Sequence, residues 1–103
     1  MYISRLYFHN CPGKTLALER GLKTLLEMAA EVGGKNCKIL RAHFASPGAS
    51  DVMFEQEAAD LASLENQIKN VKESSDFQKW SEQTSPLLQR SPKREVYLVV
   101  EPK

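Results

Sequence analysis

The chain has 103 residues and a mass of 11.6 kDa, so we expect a single domain spanning residues 1–103. Its 14 basic and 13 acidic residues give a formal net charge of +1, which argues against nucleic-acid or membrane partners. No apolar run approaches the ~18 residues of a spanning helix, and the first residues lack a signal-peptide layout. We therefore expect a cytoplasmic protein.

Alternation of apolar and polar residues predicts the strands. They are expected over residues 2–10, 38–45, 52–57 and 94–101. Turn-forming residues at positions 46–50 join the second and third strands into a hairpin. Pro102 cannot donate to a strand ladder and is predicted to end the last strand.

Helical spacing of leucines and alanines predicts a first helix over residues 14–32, which Gly33 would end. Asp60 is a predicted N-cap for a second helix. This helical region is expected to restart near Ser75, because Ser75 and Gln78 fit a capping box.

The element order predicts an α+β fold, a ferredoxin-like βαββαβ sandwich with an antiparallel four-stranded sheet of order 4-1-3-2. One sheet face would receive both helices, and the more apolar set is predicted there: Leu6, Phe8, Leu40, Ala42, Phe44, Val52, Phe54, Val96, Leu98 and Val100.

The opposite face mixes large apolar groups with charges of both signs. Its predicted members are Ile3, Arg5, Tyr7, His9, Ile39, Arg41, His43, Met53, Glu55, Glu57, Tyr97, Val99 and Glu101. A sheet face in contact with water would carry few large apolar side chains. We therefore expect a homodimer in which two such sheets pack face to face.

Two short stretches resemble known domains. Residues 5–7, Arg-Leu-Tyr, followed by Pro-Gly-Lys at residues 12–14, are similar to the start of NIPSNAP-type domains. Residues 75–80, Ser-Asp-Phe-Gln-Lys-Trp, resemble a Ser-x-x-Phe stretch of the antibiotic-biosynthesis monooxygenases. With the element order, nearly the whole chain resembles the dimeric α/β-barrel superfamily, and the resemblance implies two sheets forming a dimeric α/β barrel.

The resemblance also implies a function: a cofactor-independent monooxygenase or isomerase acting on a small aromatic or enolisable molecule, with no cofactor. It implies a cleft between helices and sheet, which Trp80, Tyr2 and Ser4 would line. The haem-degrading branch uses an Asn, a Trp and a His. In this sequence Ser81 occupies the position of that His. Asn10 alone cannot carry the chemistry, so haem degradation is not expected.

A candidate catalytic pair lies on the mixed face. If Phe44 pairs with Phe54, then His43 lies opposite Glu55 and Arg41 lies opposite Glu57. His43 beside Glu55 would serve as a general base, and Arg41 or Arg5 would receive a carboxylate or enolate.

The remaining candidates for substrate binding are Tyr7, His9, Trp80 and Tyr97. The charged residues of the mixed face could alternatively form a structural network of ion pairs inside the dimer. Trp80 could alternatively be a core residue. The chain as a whole is alternatively a non-catalytic small-molecule binder or a regulatory or structural homodimer.

Other classes are disfavoured by spacing and charge. The strands of His9 and His43 flank a third strand and stand about 9–10 Å apart, so no metal site is expected. The acidic third strand, residues 51–57, would repel RNA. Cys11 and Cys37 are expected at opposite sheet edges as free thiols.

Overall fold

The helices and strands follow the predicted order in a computed structural model that describes residues 1–101. They are β1 (Tyr2–Phe8), α1 (Thr15–Glu31), β2 (Lys35–Arg41), β3 (Val52–Ala58), α2 (Leu61–Lys72), α3 (Ser75–Thr84) and β4 (Lys93–Leu98), with a 3₁₀ turn at Ser85–Leu87. The antiparallel sheet has the order β2-β3-β1-β4, which is the predicted 4-1-3-2 read from the other edge. The α+β ferredoxin-like fold is therefore confirmed.

Pro102, predicted to end the last strand, lies outside the described residues. No helix within residues 1–101 combines the length and apolarity needed to cross a membrane.

The core lies between the sheet and α1. The leucines predicted to form the buried stripe of α1 pack on the sheet, and Trp80 of α3 joins them. The buried cluster comprises Phe8, Leu18, Leu22, Leu25, Ala29, Val52, Phe54 and Trp80. Helical periodicity thus identified the buried side of α1 correctly, because burial of this stripe outweighs the low helix propensity of Gly21.

Two glycines of this region differ in what a methyl group would meet. A Cβ at Gly21 would lie 3.4 Å from Thr84 Oγ1, an ordinary contact, whereas one at Gly34 would lie 2.8 Å from the Ala29 carbonyl oxygen. We expect Gly21→Ala to stabilise the protein by about 0.5–1 kcal/mol through helix propensity. Gly34→Ala should destabilise it by about 1–3 kcal/mol through overpacking. Urea unfolding of both variants checks this, and equal effects would contradict it.

The N-cap of α2 is the predicted one, whereas the N-cap of α3 differs from the prediction. Asp60 accepts a hydrogen bond from the Ser63 amide at 2.7 Å, so the N-cap of α2 is confirmed. The cap of α3 is Ser74, whose hydroxyl oxygen accepts from the Phe77 amide at 3.2 Å. The capping box predicted for Ser75 is wrong by one residue, because the backbone is already extended at Ser74 and Ser75 is helical.

The predicted faces are wrong for β2. This strand pairs Ile39 with Phe54 and Lys38 with Glu55, so Ile39 faces the helices and Leu40 faces away. The prediction rested on Ala42 and Phe44, but β2 ends at Arg41 and Phe44 is 92% exposed in the following loop. A residue outside the ladder carries no information about the facing of the strand.

The helices do not cover the whole sheet. They pack over β2 and β3, and β4 forms the opposite edge. Val96 shares the helix-side face with Ser4 as predicted, but Val96, Leu98 and Val100 are exposed rather than buried. Sheet parity was therefore right for β4, and the expectation of burial was wrong because no helix packs over this edge.

Candidate functional site

A cavity of about 280 Å³ lies between the helix layer and the sheet. Most of its lining is apolar and comes from every layer of the fold. The lining residues are Leu6, Phe8, Leu25, Ala29, Val32, Phe54, Gln56, Gln67, Ile68, Val71, Lys72, Phe77, Trp80, Pro92 and Arg94. Cavities of this kind, apolar with a few polar groups, are typical of small-molecule sites.

Trp80 and Phe77 form the aromatic wall of the cavity. Their ring centroids are 5.5 Å apart with an interplanar angle of 31°. The Trp80 indole is 9% exposed, and its Nε1 donates to the Gly21 carbonyl oxygen at 2.6 Å. The two interpretations of Trp80 made from the sequence, core residue and cavity wall, therefore hold together: one part of the ring packs in the core and another borders the cavity.

Three polar side chains lie close together on the helix-side face of the sheet. Gln56 and Arg94 line the cavity, whereas Ser4 contacts Arg94 and is not a lining residue. Trp80 lines the cavity as predicted, but the prediction that Tyr2 and Ser4 also line it is wrong. Ser4 of β1 pairs with Gln56 of β3, and Arg94 of β4 pairs with the nearby Leu6, so all three polar residues lie on the helix-side face. Ser4 is 1% exposed and Gln56 is 4% exposed. Arg94 Nη1 donates to the Ser4 hydroxyl oxygen. We call Ser4, Gln56 and Arg94 the polar floor.

The Arg94 guanidinium stands between the cavity and solvent. Arg94 is exposed as a whole residue, and partial desolvation of its guanidinium by the neighbouring protein lowers the pKa of Arg94 below its ordinary value. An arginine stays protonated at neutral pH. Within residues 1–101, the cations that form ion pairs are Arg5, Lys38 and Arg41, and no carboxylate pairs with Arg94.

The rim of the cavity is also polar. Gln67 of α2 donates through Nε2 to the Gly33 carbonyl oxygen at 3.2 Å. Its Oε1 is buried and accepts no hydrogen bond from any described residue. Lys72, at the end of the same helix, is exposed. The rim therefore adds one flexible cation and one amide to the polar floor.

The opposite sheet face, which we call the outer face, carries its own polar network. Arg5 Nε donates to Glu55 Oε1 at 2.7 Å, and Lys38 Nζ lies 3.6 Å from Glu55 Oε2. Glu55 is only 6% exposed, and its hydrogen bond is the main cause of a raised pKa for Arg5. The guanidinium carbon of Arg5 stands 5.4 Å from the ring centroid of Tyr97.

The tyrosines complete this network. The Tyr7 and Tyr97 hydroxyl oxygens are 2.9 Å apart, and the Tyr97 hydroxyl also donates to Glu95. Hydrogen bonding to Glu95, and then to Tyr7, raises the pKa of Tyr97 above its ordinary value. Tyr7, Tyr97 and Glu55 thus share one face as predicted, and each has found a partner within the chain.

The predicted catalytic pair does not form. Glu55 lies opposite Lys38, not His43, and Glu57 lies opposite Lys35, not Arg41. His43 is exposed in the loop after β2, where its ring meets the Phe44 ring edge-on at 4.6 Å. The prediction was wrong because the assumed pairing of Phe44 with Phe54 extended β2 beyond its true end.

Arg41 and His9, which were predicted to bind substrate on the mixed face, also lie away from it. Arg41 Nε donates to Glu19 Oε2 at 2.6 Å, which ties the end of β2 to α1 and is the main cause of a lowered pKa for Glu19. His9 Nε2 is 3.3 Å from the Gly48 carbonyl oxygen in the hairpin loop.

Cys11 and Cys37 are both free thiols. Across residues 1–101 no three His, Cys, Asp or Glu side chains are grouped as metal ligands.

Gln56 and Arg94 were not predicted as site residues. A usable signal was present, because Gln56 has the parity of Val52 and Phe54, and Arg94 has the parity of Val96. A polar residue at a position that alternation assigns to an apolar face indicates a polar group on that face, which is buried at Gln56 and exposed at Arg94.

Comparison with known proteins supports the fold. No family model matches the chain, and no curated protein matches it. Solved structures do match: a NIPSNAP family protein from Agrobacterium tumefaciens has a TM-score of 0.81 at 14% identity, covering 97% of this chain and 93% of that one. A NIPSNAP domain protein from Burkholderia xenovorans has a TM-score of 0.78 at 12% identity, covering 97% and 95%.

A proposed antibiotic biosynthesis monooxygenase from Nitrosomonas europaea is similar as well. Its TM-score is 0.74 at 14% identity, and the match covers 98% of this chain and all of that one. The similarity extends over nearly the whole of each chain. These structures therefore confirm the fold predicted from the sequence, which this chain shares with NIPSNAP and monooxygenase-like proteins.

Proposed function

We propose that the protein binds a small, planar, mostly apolar molecule in the cavity between its helices and its sheet. The observation that carries this proposal is the cavity itself, about 280 Å³ in volume with Trp80 and Phe77 as an aromatic wall. An aromatic wall favours a flat ligand, because offset stacking adds to the burial of apolar area. The polar floor would orient the ligand.

Occupancy of the cavity can be measured through Trp80, the only tryptophan of the chain. We expect 4-nitrobenzamide, a flat neutral quencher, to reduce its fluorescence with a saturable dependence on concentration. Ala29→Phe should weaken this binding about tenfold or more, since Ala29 lines the cavity and the added ring would occupy it.

The matched control is Ala30→Phe, the same change at the exposed neighbouring position. It should leave binding unchanged. Circular dichroism verifies that both variants fold, and Val71→Phe replaces Ala29→Phe if that variant does not. Equal binding by the cavity-filled variant and the wild type would contradict the proposal.

A second candidate is conversion of the ligand by a cofactor-independent monooxygenase or isomerase. The donors of the polar floor favour it, because a guanidinium beside an aromatic wall would stabilise a phenolate or enolate oxygen. The proposed activity of the similar Nitrosomonas europaea protein adds support. Oxygen uptake in a screen of phenolic substrates tests it, and an Arg94→Met variant with undiminished turnover would contradict this assignment.

The ionisable residues of the cavity favour binding of a ligand over its chemical conversion. Its described lining contains Lys72 and Arg94 as its ionisable groups, and neither is a ready general base. A substrate that must lose a proton would have to enter already ionised or lose it to water. For that reason binding is the primary proposal.

We also propose that two copies associate through the outer face. Large apolar side chains there, Ile3, Leu40 and Met53, are half-buried, and Tyr97 is 40% exposed. Within residues 1–101 the helices form one layer on the other side of the sheet, so none of them packs on the outer face. A second copy would bury these side chains around the network of Arg5 and Glu55.

A further inference from the structure

The polar floor contains a cation that lacks a counterion. Arg94 approaches the cavity from β4, donates to the hydroxyl of Ser4, and meets no carboxylate within the described part of the chain. Arg94 as a whole is exposed to water, but its side chain also borders the cavity, where an opposite charge or a hydrogen-bonding group would stabilise the guanidinium. The guanidinium has further N–H donors that Ser4 does not use. This arrangement favours an anion at Arg94.

Gln56 provides a second polar group at the same place. The residue is 4% exposed and lines the cavity. Among residues 1–101, the buried side-chain atoms without a hydrogen-bond partner are Asn10 Oδ1 and Gln67 Oε1, so the role of Gln56 rests on its position in the lining. Because Gln56 lies across from Ser4 in the sheet, its amide faces the same part of the cavity that Arg94 reaches.

We propose that the ligand of the cavity is a small organic carboxylate, with its planar apolar body against Trp80 and its carboxylate held by Arg94 and Gln56. This inference rests on the function proposed above and names the ligand class. A guanidinium presents two parallel N–H groups that match a carboxylate, and the Gln56 amide supplies a further donor. Ser4 is a positioning residue, because its hydroxyl accepts from Arg94 and holds the guanidinium in place.

A carboxylate fits this site better than a phosphate does. The polar floor contains one cation, whereas a phosphate dianion would need more charge and more donors at the same point. Lys72 lies at the rim of the cavity, at the end of α2, and does not belong to the polar floor. The rest of the lining is largely apolar and suits the hydrocarbon part of an aromatic acid.

The test compares two probes of nearly the same shape, 4-nitrobenzoate and neutral 4-nitrobenzamide, by quenching of Trp80 fluorescence. We expect the wild type to bind the carboxylate about tenfold to a hundredfold more tightly. Arg94→Gln should weaken binding of the carboxylate far more than binding of the amide, and should therefore remove this preference. Arg94→Lys should keep part of the preference, because it retains the charge without the planar fork.

Two further variants locate the effect. Lys72→Gln should retain the preference, and a loss there instead of at Arg94 would overturn the proposal. Gln56→Glu should abolish the preference, because the introduced carboxylate would take the place of the ligand beside Arg94. Retained preference in that variant would count against the role of Gln56.

The outcomes separate this inference from the function beneath it. If the wild type binds both probes equally, the carboxylate proposal fails and the binding function stands. If it binds neither, the binding function itself fails. Carboxylate binding that survives in Arg94→Gln would show that the anion does not use the polar floor.

Discussion

Replacing Trp80 with alanine should lower the free energy of unfolding by about 3–5 kcal/mol. That is a large fraction of the total free energy of unfolding of a typical domain, which is about 5–15 kcal/mol. The indole packs against the α1 side of the core and donates to the Gly21 carbonyl oxygen. Its loss would therefore enlarge the existing cavity and remove a contact between α3 and α1. Urea unfolding followed by circular dichroism, at one protein concentration, measures the effect.

Two controls separate the contributions of this side chain. Trp80→Phe keeps most of the ring and loses the hydrogen bond, so a loss of about 1–3 kcal/mol is expected. Phe44→Ala removes an aromatic ring that is exposed and should change stability by less than about 0.5 kcal/mol. Similar losses for Trp80→Ala and Phe44→Ala would contradict the placement of Trp80 in the core.

Replacing Met53 with glutamate should separate the proposed dimer. Met53 lies between Tyr7 and Leu40 on the outer face, so the dimer would bury the new carboxylate without a partner. Twofold symmetry introduces the charge twice. We expect the dissociation constant to rise about a hundredfold or more. Sedimentation velocity over a concentration series measures it.

The matched control is Gln78→Glu, the same new charge on the exposed surface of α3. It should sediment as the wild type does, and circular dichroism should show that both variants remain folded. A wild-type protein that sediments as a monomer at micromolar concentration would refute the dimer, because Ile3, Leu40 and Met53 would then be in contact with water.

The fold was predictable because its signals are local. The period-two pattern of residues 2–10 and the leucine spacing of α1 each report on a few neighbouring residues. The order of these elements, with the handedness of the crossovers, leaves few sheet arrangements. The order of the elements and the order of the strands in the sheet were therefore predicted correctly. The side chains of β1, β3 and β4 that face the helices were also predicted correctly.

The facing of β2 was not predictable in the same way. Ile39 and Leu40 are both apolar, so alternation allowed either side, and Phe44 suggested the wrong one. The hairpin ladder pairs Ile39 with Phe54, and the side chain of Arg41, the last residue of β2, pairs with Glu19 of α1. These long-range contacts decided where the strand ends, and with it the fate of the predicted His43–Glu55 pair.

The candidate site depended on tertiary structure even more. From the sequence, Trp80 was a candidate for both core and cleft, and Gln56 and Arg94 drew no notice. The helices pack over β2 and β3 and leave the β4 edge uncovered, which opens the cavity beside Arg94. By itself, then, the amino-acid sequence determined the elements and their order, because periodicity arises from neighbouring residues. Strand register, the extent of helix coverage and the polar floor were decided only by packing between residues distant in the chain.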